Sequence, residues 1–455
     1  MSVSCSAIWF YQLDQYPLFA NIYCMNFKKL LTQSIVWRGL YFATLFLVNV
    51  ALAHFLRADG TGKIFFISTT FALIQTITGL CLEGGITYFG ASKAINANKI
   101  LWLCLLWTLF IAVCFGVGLT LWSNSISQLS QGLPVPVYAF CFIVGLMLSN
   151  YGCNLFYAYG NFLLPNVILA ILNGLFVIIA SIIYLQYHDG GLIIDTYFYF
   201  FPVQGIAVVT AYILRYKSWQ EFQLPAWIDI KQFYRYSLQV LAANVLFFLV
   251  YRVDYYFVHA SPVCTDTDLG NYMQVSKLGQ MLIVIPQIIA SAVYPQMSSG
   301  ENRELVSETV MLLARIFSIL FLLLIIFIAM VGGWLFPFVF GATFNEMQVP
   351  MLLLLPGIFC VSVLVILASF FSGKGNVRVS VYAALLALAV VLAGDYLFVP
   401  VYGIIAAALV STVGYAVNLG YYLLQFRKDY HLSLAHFFKW RKSDLDVLIR
   451  LTKKK

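Results

Sequence analysis

Twelve stretches of this chain stay apolar over a length that can cross a bilayer, which takes about twenty residues in a helix. They cover residues 30–55, 64–91, 98–122, 134–159, 163–186, 197–216, 233–258, 268–296, 306–340, 347–372, 377–399 and 401–425. Composition decides which solvent they meet. Of the 455 residues, 62% are hydrophobic and only 10% are charged, against roughly 25% charged in soluble domains. Mean hydropathy is +0.89. A soluble fold could not cover its surface with so few polar groups, so the chain reads as an all-α membrane protein. Helices are the form in which an apolar segment satisfies its own backbone inside lipid. Aromatic residues make up 17%, enough for interfacial belts and a packed bundle.

The net charge of +8 matters through its placement. With the N-terminus in the cytoplasm, inner loops and the tail carry 20 of the 26 Lys and Arg. Outer loops carry only Arg57 and Lys63. This asymmetry predicts a multi-pass protein with both termini cytoplasmic and an even number of helices. It speaks against nucleic acid as a partner, which needs a basic face on a soluble domain. Nine cysteines form no CxxC pair and five histidines no HExxH, so no metal or other cofactor is expected. A membrane polymerase or acyltransferase needs surface outside the bilayer, and the short outer loops offer little beyond His188 and His259. The stretch MNFKKLLTQSIVW from Met25 reads as a natural start. Residues 1–24 are then an upstream extension of the reading frame or a short interfacial segment.

The chain repeats. FYAYGN (156–161) ends the fourth segment and FSGKGN (371–376) the tenth. Gly205 and Gly403 each begin a Gly-Ile-apolar run, and Gly62 and Gly270 each open an even-numbered segment. Separations of 215, 198 and 208 residues suggest a six-helix unit occurring twice. Six helices return the second copy in the same orientation, so the expected architecture is two parallel six-helix bundles around a central cleft. The corresponding divisions are an N-terminal cytoplasmic segment 1–29, a first bundle 30–216, a cytoplasmic linker 217–232, a second bundle 233–425 and a basic tail 426–455.

Charges inside the apolar segments are the candidate functional residues. One near the bilayer centre costs about 2.5–3.5 kcal/mol on insertion scales, so it is kept for a reason. Arg38 lies roughly 12 Å into the first segment at 1.5 Å per residue, and Glu83 at a similar inner depth. Arg252, Asp254 and Lys277 fall in the outer half of the seventh and eighth segments, and Asp395 about a turn from the outer end of the eleventh. Structural readings exist for each: an Arg38–Glu83 pair, an Asp254–Lys277 pair, an Asp395 that reaches the outer surface, an interfacial Arg315. The functional reading joins Arg38, Arg252 and Lys277 as cleft cations for a phosphorylated substrate, because guanidinium forks make paired bonds to phosphate. Glu83, Asp254 and Asp395 would then be cleft acids or coupling residues.

Residues 251–299, with Arg252 and Asp254 in an apolar run, Gly270, Tyr272, Pro295 and Ser298, resemble bacterial polysaccharide flippases. These are the Wzx-type O-antigen and exopolysaccharide exporters of the multidrug/oligosaccharidyl-lipid/polysaccharide (MOP) superfamily. FLRADGTGKIFF (55–66) resembles their first outer loop and VPVYGIIAAALVSTVGY (399–415) their final helix. The outer loop at 259–270 is longer than is usual for that family. The resemblance implies export of an undecaprenyl-pyrophosphate-linked oligosaccharide across the bacterial inner membrane for surface polysaccharide synthesis. Membrane lipids surround the protein in this reading, and a polysaccharide polymerase is a candidate partner. The competing readings are a MATE-like drug/cation antiporter and a membrane polymerase or acyltransferase.

Overall fold

The computed structural model describes residues 23–92, 94–129, 134–218, 223–290, 303–373, 376 and 378–430. Pro295, Ser298, the first 22 residues and the tail beyond Tyr430 lie outside the described residues. Helices α1 (Tyr23–Thr78), α2 (Leu82–Ala91), α3 (Ala97–Leu129), α4 (Val135–Ala158), α5 (Leu163–Tyr187) and α6 (Gly190–Tyr216) come first. They are followed by α7 (Trp227–Ala260), α8 (Asp266–Leu282), α9 (Arg303–Phe340), α10 (Gln348–Gly373) and α11 (Arg378–Tyr430). Beyond a turn at Ile283, helix resumes over 284–290. The fold is all-helical, and ten segments among the described residues are long and apolar enough to cross a membrane. The chain is a multi-pass membrane protein.

Two of those segments double back. At 56 residues, α1 would run about 84 Å if straight, nearly three times a bilayer's hydrocarbon. It breaks at Arg57, whose φ of 59° is left-handed. The Thr61 hydroxyl then donates to the Leu52 carbonyl at 3.1 Å, a contact that nine residues of straight helix, roughly 13 Å, would forbid. Helix α11, 53 residues long, breaks at Gly403 (φ 59°, ψ −140°). A Cβ on Gly414 would lie 2.3 Å from Val391 Cγ2, so the two limbs of this hairpin touch through the missing side chain. Counting limbs, the ten segments supply twelve crossings.

The molecule divides into two compact units, one through Phe248 and one from Leu249, with the boundary inside α7. Helix α7 begins at Trp227, within the expected linker. In the first unit α4 lies against α6 with backbones in near contact. A Cβ on Gly145 would sit 2.3 Å from the Phe201 carbonyl carbon, and one on Gly205 2.6 Å from the Gly145 oxygen. Small residues at such crossings allow the close packing that replaces the hydrophobic effect in lipid. Beside this seam Tyr138 stacks on Phe198 at 4.5 Å. In the second unit α10 packs on the second limb of α11, where a Cβ on Gly357 would lie 2.7 Å from Thr412 Oγ1.

The sequence repeat reappears as geometry at one pair of sites. The Asn161 N–H donates to the Phe156 carbonyl at 3.0 Å, and the Asn376 N–H to the Phe371 carbonyl at 3.0 Å. Gly160 takes φ 70° to close the first of these turns, a conformation that costs glycine nothing. Gly62 stands five residues past the break at Arg57, as Gly270 stands five past the α8 N-cap Thr265. Gly205 and Gly403 are not equivalent: the first is mid-helix against α4, the second is the hairpin break.

Three local expectations change. The 259–270 loop shrinks to residues 261–265, because Thr265 and Asp268 form a capping box that carries the helix back to Asp266. The sixth segment starts at Gly190, where the Asp189 carboxylate accepts from the Gly191 and Leu192 N–H groups. In the first turns of α9, where an interfacial Arg315 is one expectation, Val310, Met311, Leu312 and Arg315 are buried against protein. A valine at Gly145 must push the α6 backbone away, an overpacking cost of about 1–3 kcal/mol. Gly145→Val is expected to lower the Tm of detergent-purified protein by several degrees, whereas Gly174→Val, at a site with open space, leaves it nearly unchanged.

Candidate functional site

Arg252 and Asp254 share one helix two residues apart, so their side chains diverge by about 200°. Their partners differ accordingly. Arg252 is buried and its Nη2 donates to Gln280 Oε1 at 2.9 Å. Gln280 passes the chain on to the Tyr255 hydroxyl (3.4 Å), which donates to Ser276 Oγ at 2.5 Å. Lys277, half-buried on α8, lies within electrostatic range of Arg252. Gln280 and Ser276 also line a small recess in the second unit, with Tyr251, Ile283, Leu354, Ile358 and Tyr415 around it. Arg252 therefore addresses the polar wall of that recess through Gln280.

Asp254 turns to neighbouring helices instead. Its carboxylate accepts from the Tyr272 hydroxyl on α8, from Ser411 Oγ on α11 at 2.9 Å and from the Tyr255 N–H at 2.9 Å. These bonds displace the expected pair with Lys277. Asp395, on the first limb of α11, lies within electrostatic range of Asp254. It does not reach a surface: its exposure is 0%, and neither carboxylate oxygen has a hydrogen-bond partner among the described residues. Asp395 is therefore a buried acid that a proton or metal cation would complete.

In the first unit Arg38 lies over the ring of Tyr157 at 4.6 Å and that of Phe162 at 5.3 Å. The two rings stack on each other at 5.1 Å. Tyr157 is fixed from its far end by the Asn166 amide oxygen (3.1 Å), and Asn166 donates back to the Phe162 carbonyl (2.7 Å). Aromatic faces hold a cation with about 0.5–2 kcal/mol, and the guanidinium also hydrogen-bonds the Tyr157 side chain. No ion pair joins Arg38 to Glu83, whose buried Oε2 has no hydrogen-bond partner. A polar row continues above Arg38, where Gln204 Nε2 donates to Asn173 Oδ1 (2.9 Å) and Asn173 Nδ2 to Thr44 Oγ1 (3.1 Å). Sequence reasoning found the charges but missed their holders. Tyr157, Phe162, Gln280, Tyr272 and Ser411 are ordinary residues of membrane helices, and only Tyr272 is singled out by the sequence, through the family resemblance and not as a partner of Asp254.

Outside the spans, Glu346 in the α9–α10 connection hydrogen-bonds Asp268. That bond, then partial burial and the like charge, raise the Glu346 carboxyl above its usual range. A raised folded value means the contact stabilises at low pH and is lost as pH climbs through it. Glu346→Gln, which mimics the protonated group, is expected to raise Tm more at pH 8 than at pH 5; an equal effect at both values would refute the contact.

The all-helical fold is similar to that of solved MATE and other MOP superfamily transporters. Residues 191–349 match a family model described as polysaccharide biosynthesis protein. No curated protein matches the chain. Among solved structures, a MOP superfamily transporter from Pyrococcus furiosus superposes with a TM-score of 0.63 at 15% identity, over 88% of this chain and 95% of that one. A MATE transporter in the bent conformation gives 0.63 at 14% identity, over 94% and 98%. The lipid II flippase MurJ in an inward closed conformation gives 0.61 at 14% identity, over 92% and 93%. At such identities the likeness is one of fold.

Proposed function

We propose that this chain is a flippase that moves a polyprenyl-pyrophosphate-linked oligosaccharide from the inner to the outer leaflet of a bacterial inner membrane, for surface polysaccharide synthesis. The observation that carries the reading is Arg38. It is a cation inside a membrane-spanning limb, held by two aromatic faces and bonded to no carboxylate. Such a charge costs about 2.5–3.5 kcal/mol to insert and is best explained by an anion that meets it during the working cycle. Arg252 and Lys277 supply the matching positive charge in the second unit. The polysaccharide-biosynthesis match and the lipid II flippase among the structural neighbours support this cargo class over an organic cation. The neighbours are transporters and a flippase, which favours transport over polymerase or acyltransferase chemistry.

In this reading the protein works by alternating access, with both termini cytoplasmic. The guanidinium forks take the phosphates, and the polyprenyl tail stays in lipid. Outward movement of each negative charge gains roughly 2.3 kcal/mol per 100 mV of inside-negative potential. Asp254 and Asp395 couple the cycle to a cation, whose arrival neutralises the unpartnered Asp395. A fluorescent short-chain polyprenyl-pyrophosphate sugar in proteoliposomes tests the cargo. Each charge-assisted phosphate bond is worth about 1.5–3 kcal/mol. Arg38→Ala and Arg252→Ala should therefore slow flipping at least tenfold, with the protein still in the membrane. Unchanged flipping in both variants, or ethidium transport with no glycolipid movement, would sink the proposal in favour of a drug/cation antiporter. Separately, Asp395→Asn, nearly isosteric, is expected to abolish the dependence of flipping on an imposed cation gradient.

A further inference from the structure

The first turns of α7 expose the wrong residues for a lipid face. On α5 the exposed side chains include Ile171, Leu175, Ile178, Ile182 and Leu185, as hydrocarbon requires. On α7 they include Lys231, Gln232, Arg235 and Gln239. At 3.6 residues per turn these four fall within an arc of about 100°. The opposite side of the helix is closed. Phe233, Ser237 and Val240 are buried there, and α2 meets them through its glycines. A Cβ on Gly85 would lie 2.7 Å from both Phe233 Cε2 and Ser237 Oγ, and one on Gly84 3.0 Å from Val240 Cγ1. Beside them Tyr236 stacks on Tyr88 at 4.7 Å.

The same contacts fix the depth of this stripe. Phe233 and Ser237 straddle Gly85, so Arg235 stands level with it. Gly85 is six residues short of the end of α2 at Ala91, about 9 Å along the axis. On the other flank the Tyr234 ring meets that of Trp107 at 5.8 Å. Trp107 is ten residues past the start of α3 at Ala97, about 15 Å. A short connection joins the end of α2 to the start of α3, so both counts run from the same end of the first unit. Arg235 thus lies inside the spanning part of the bundle, with Lys231 one turn nearer that end. No carboxylate among the described residues bonds either cation. All of these residues belong to the first unit.

A charge exposed to acyl chains is strongly disfavoured. Two charges and two amides on one exposed face therefore mark a surface that meets water within the span. Its sign suits an anion arriving from this end. Lys231 and Arg235 are four residues apart on one face, with Cβ atoms about 5–6 Å from each other. One diphosphate can bridge that spacing, whereas the single phosphate of an ordinary phospholipid engages one cation. The guanidinium fork takes two oxygens and the ammonium acts as a point charge. Gln232 and Gln239 flank the pair with amides that can donate to and accept from the hydroxyls of an attached sugar. We propose that Lys231 and Arg235 form a diphosphate-docking site on α7, where the headgroup of the cargo is held before it reaches Arg38. The ligand and the cytoplasmic sense of this end, though not the geometry, rest on the flippase reading.

Equilibrium binding of radiolabelled inorganic pyrophosphate to the full-length chain in phosphatidylcholine nanodiscs tests this. The measurement is made in an Arg38→Ala/Arg252→Ala background, which removes the other proposed phosphate ligands. Saturable binding is expected there, weakened about tenfold or more by Lys231→Gln/Arg235→Gln. Arg235→Lys, which keeps the charge and loses the fork, should weaken it less. Both side chains are exposed, so these substitutions should leave Tm unmoved. Absence of saturable binding, or binding untouched by the double substitution, overturns the site. Loss of the Lys231- and Arg235-dependent binding when phosphatidylglycerol is mixed into the nanodiscs assigns the stripe to ordinary phospholipid headgroups and overturns it too. In proteoliposomes, glycolipid flipping at the native rate in Lys231→Gln/Arg235→Gln would overturn the docking role and leave the flippase reading standing. Pyrophosphate binding that depends on Lys231 and Arg235, in a protein that flips no glycolipid, would do the reverse.

Discussion

Inside a bilayer there is no water to finish an incomplete hydrogen bond, and this single constraint orders the whole molecule. It confines the backbone to helices and forces every departure from helix to be held by something. The Arg57 and Gly403 breaks fall where limbs turn back, and their neighbours there make short contacts across the turn. The 79–81 break falls within a limb and is held by Trp107, Tyr151 and Asn244 from three other helices. The Phe-to-Asn turns that end α4 and α10 close their own carbonyls with the same bond.

The same constraint sorts the charges. Arg252 and Asp254 are tolerated two residues apart because each has its own polar shell on a different helix: Gln280 for one, Tyr272 and Ser411 for the other. Arg38 is accommodated differently, against aromatic faces that leave its charge uncompensated. Asp395 and Glu83 are the residual cases, acids buried with oxygens that nothing among the described residues satisfies. In a soluble protein, water would remove the puzzle. In a membrane protein the unsatisfied acid is the clearest trace of a mobile ligand.

Close helix packing makes the arrangement possible. The α4–α6 seam and the α11 hairpin bring backbones together through Gly145, Gly205 and Gly414. Tight seams within each unit keep the polar side chains in register, so that a chain such as Gln204 to Asn173 to Thr44 survives over three helices. Side chains that made the helices apolar thus also fix the geometry of the few that are not.

Residue order by itself determined the solvent, the helical class and the limb count. A run of twenty apolar residues has one stable form in lipid, and no tertiary contact is needed to choose it. It also marked the charges that matter, because an ionised group in such a run is conspicuous wherever it finally points. Partners were decided only by the fold. Arg38 meets Tyr157 and Phe162 from over a hundred residues away, and Asp254 meets Ser411 over 157 positions. An aromatic ring or a serine carries no sign in the sequence of which charge it will serve. Asp395, expected at the outer surface, is buried for the same reason: depth along a helix can be counted, whereas the direction a side chain faces depends on which helix packs beside it.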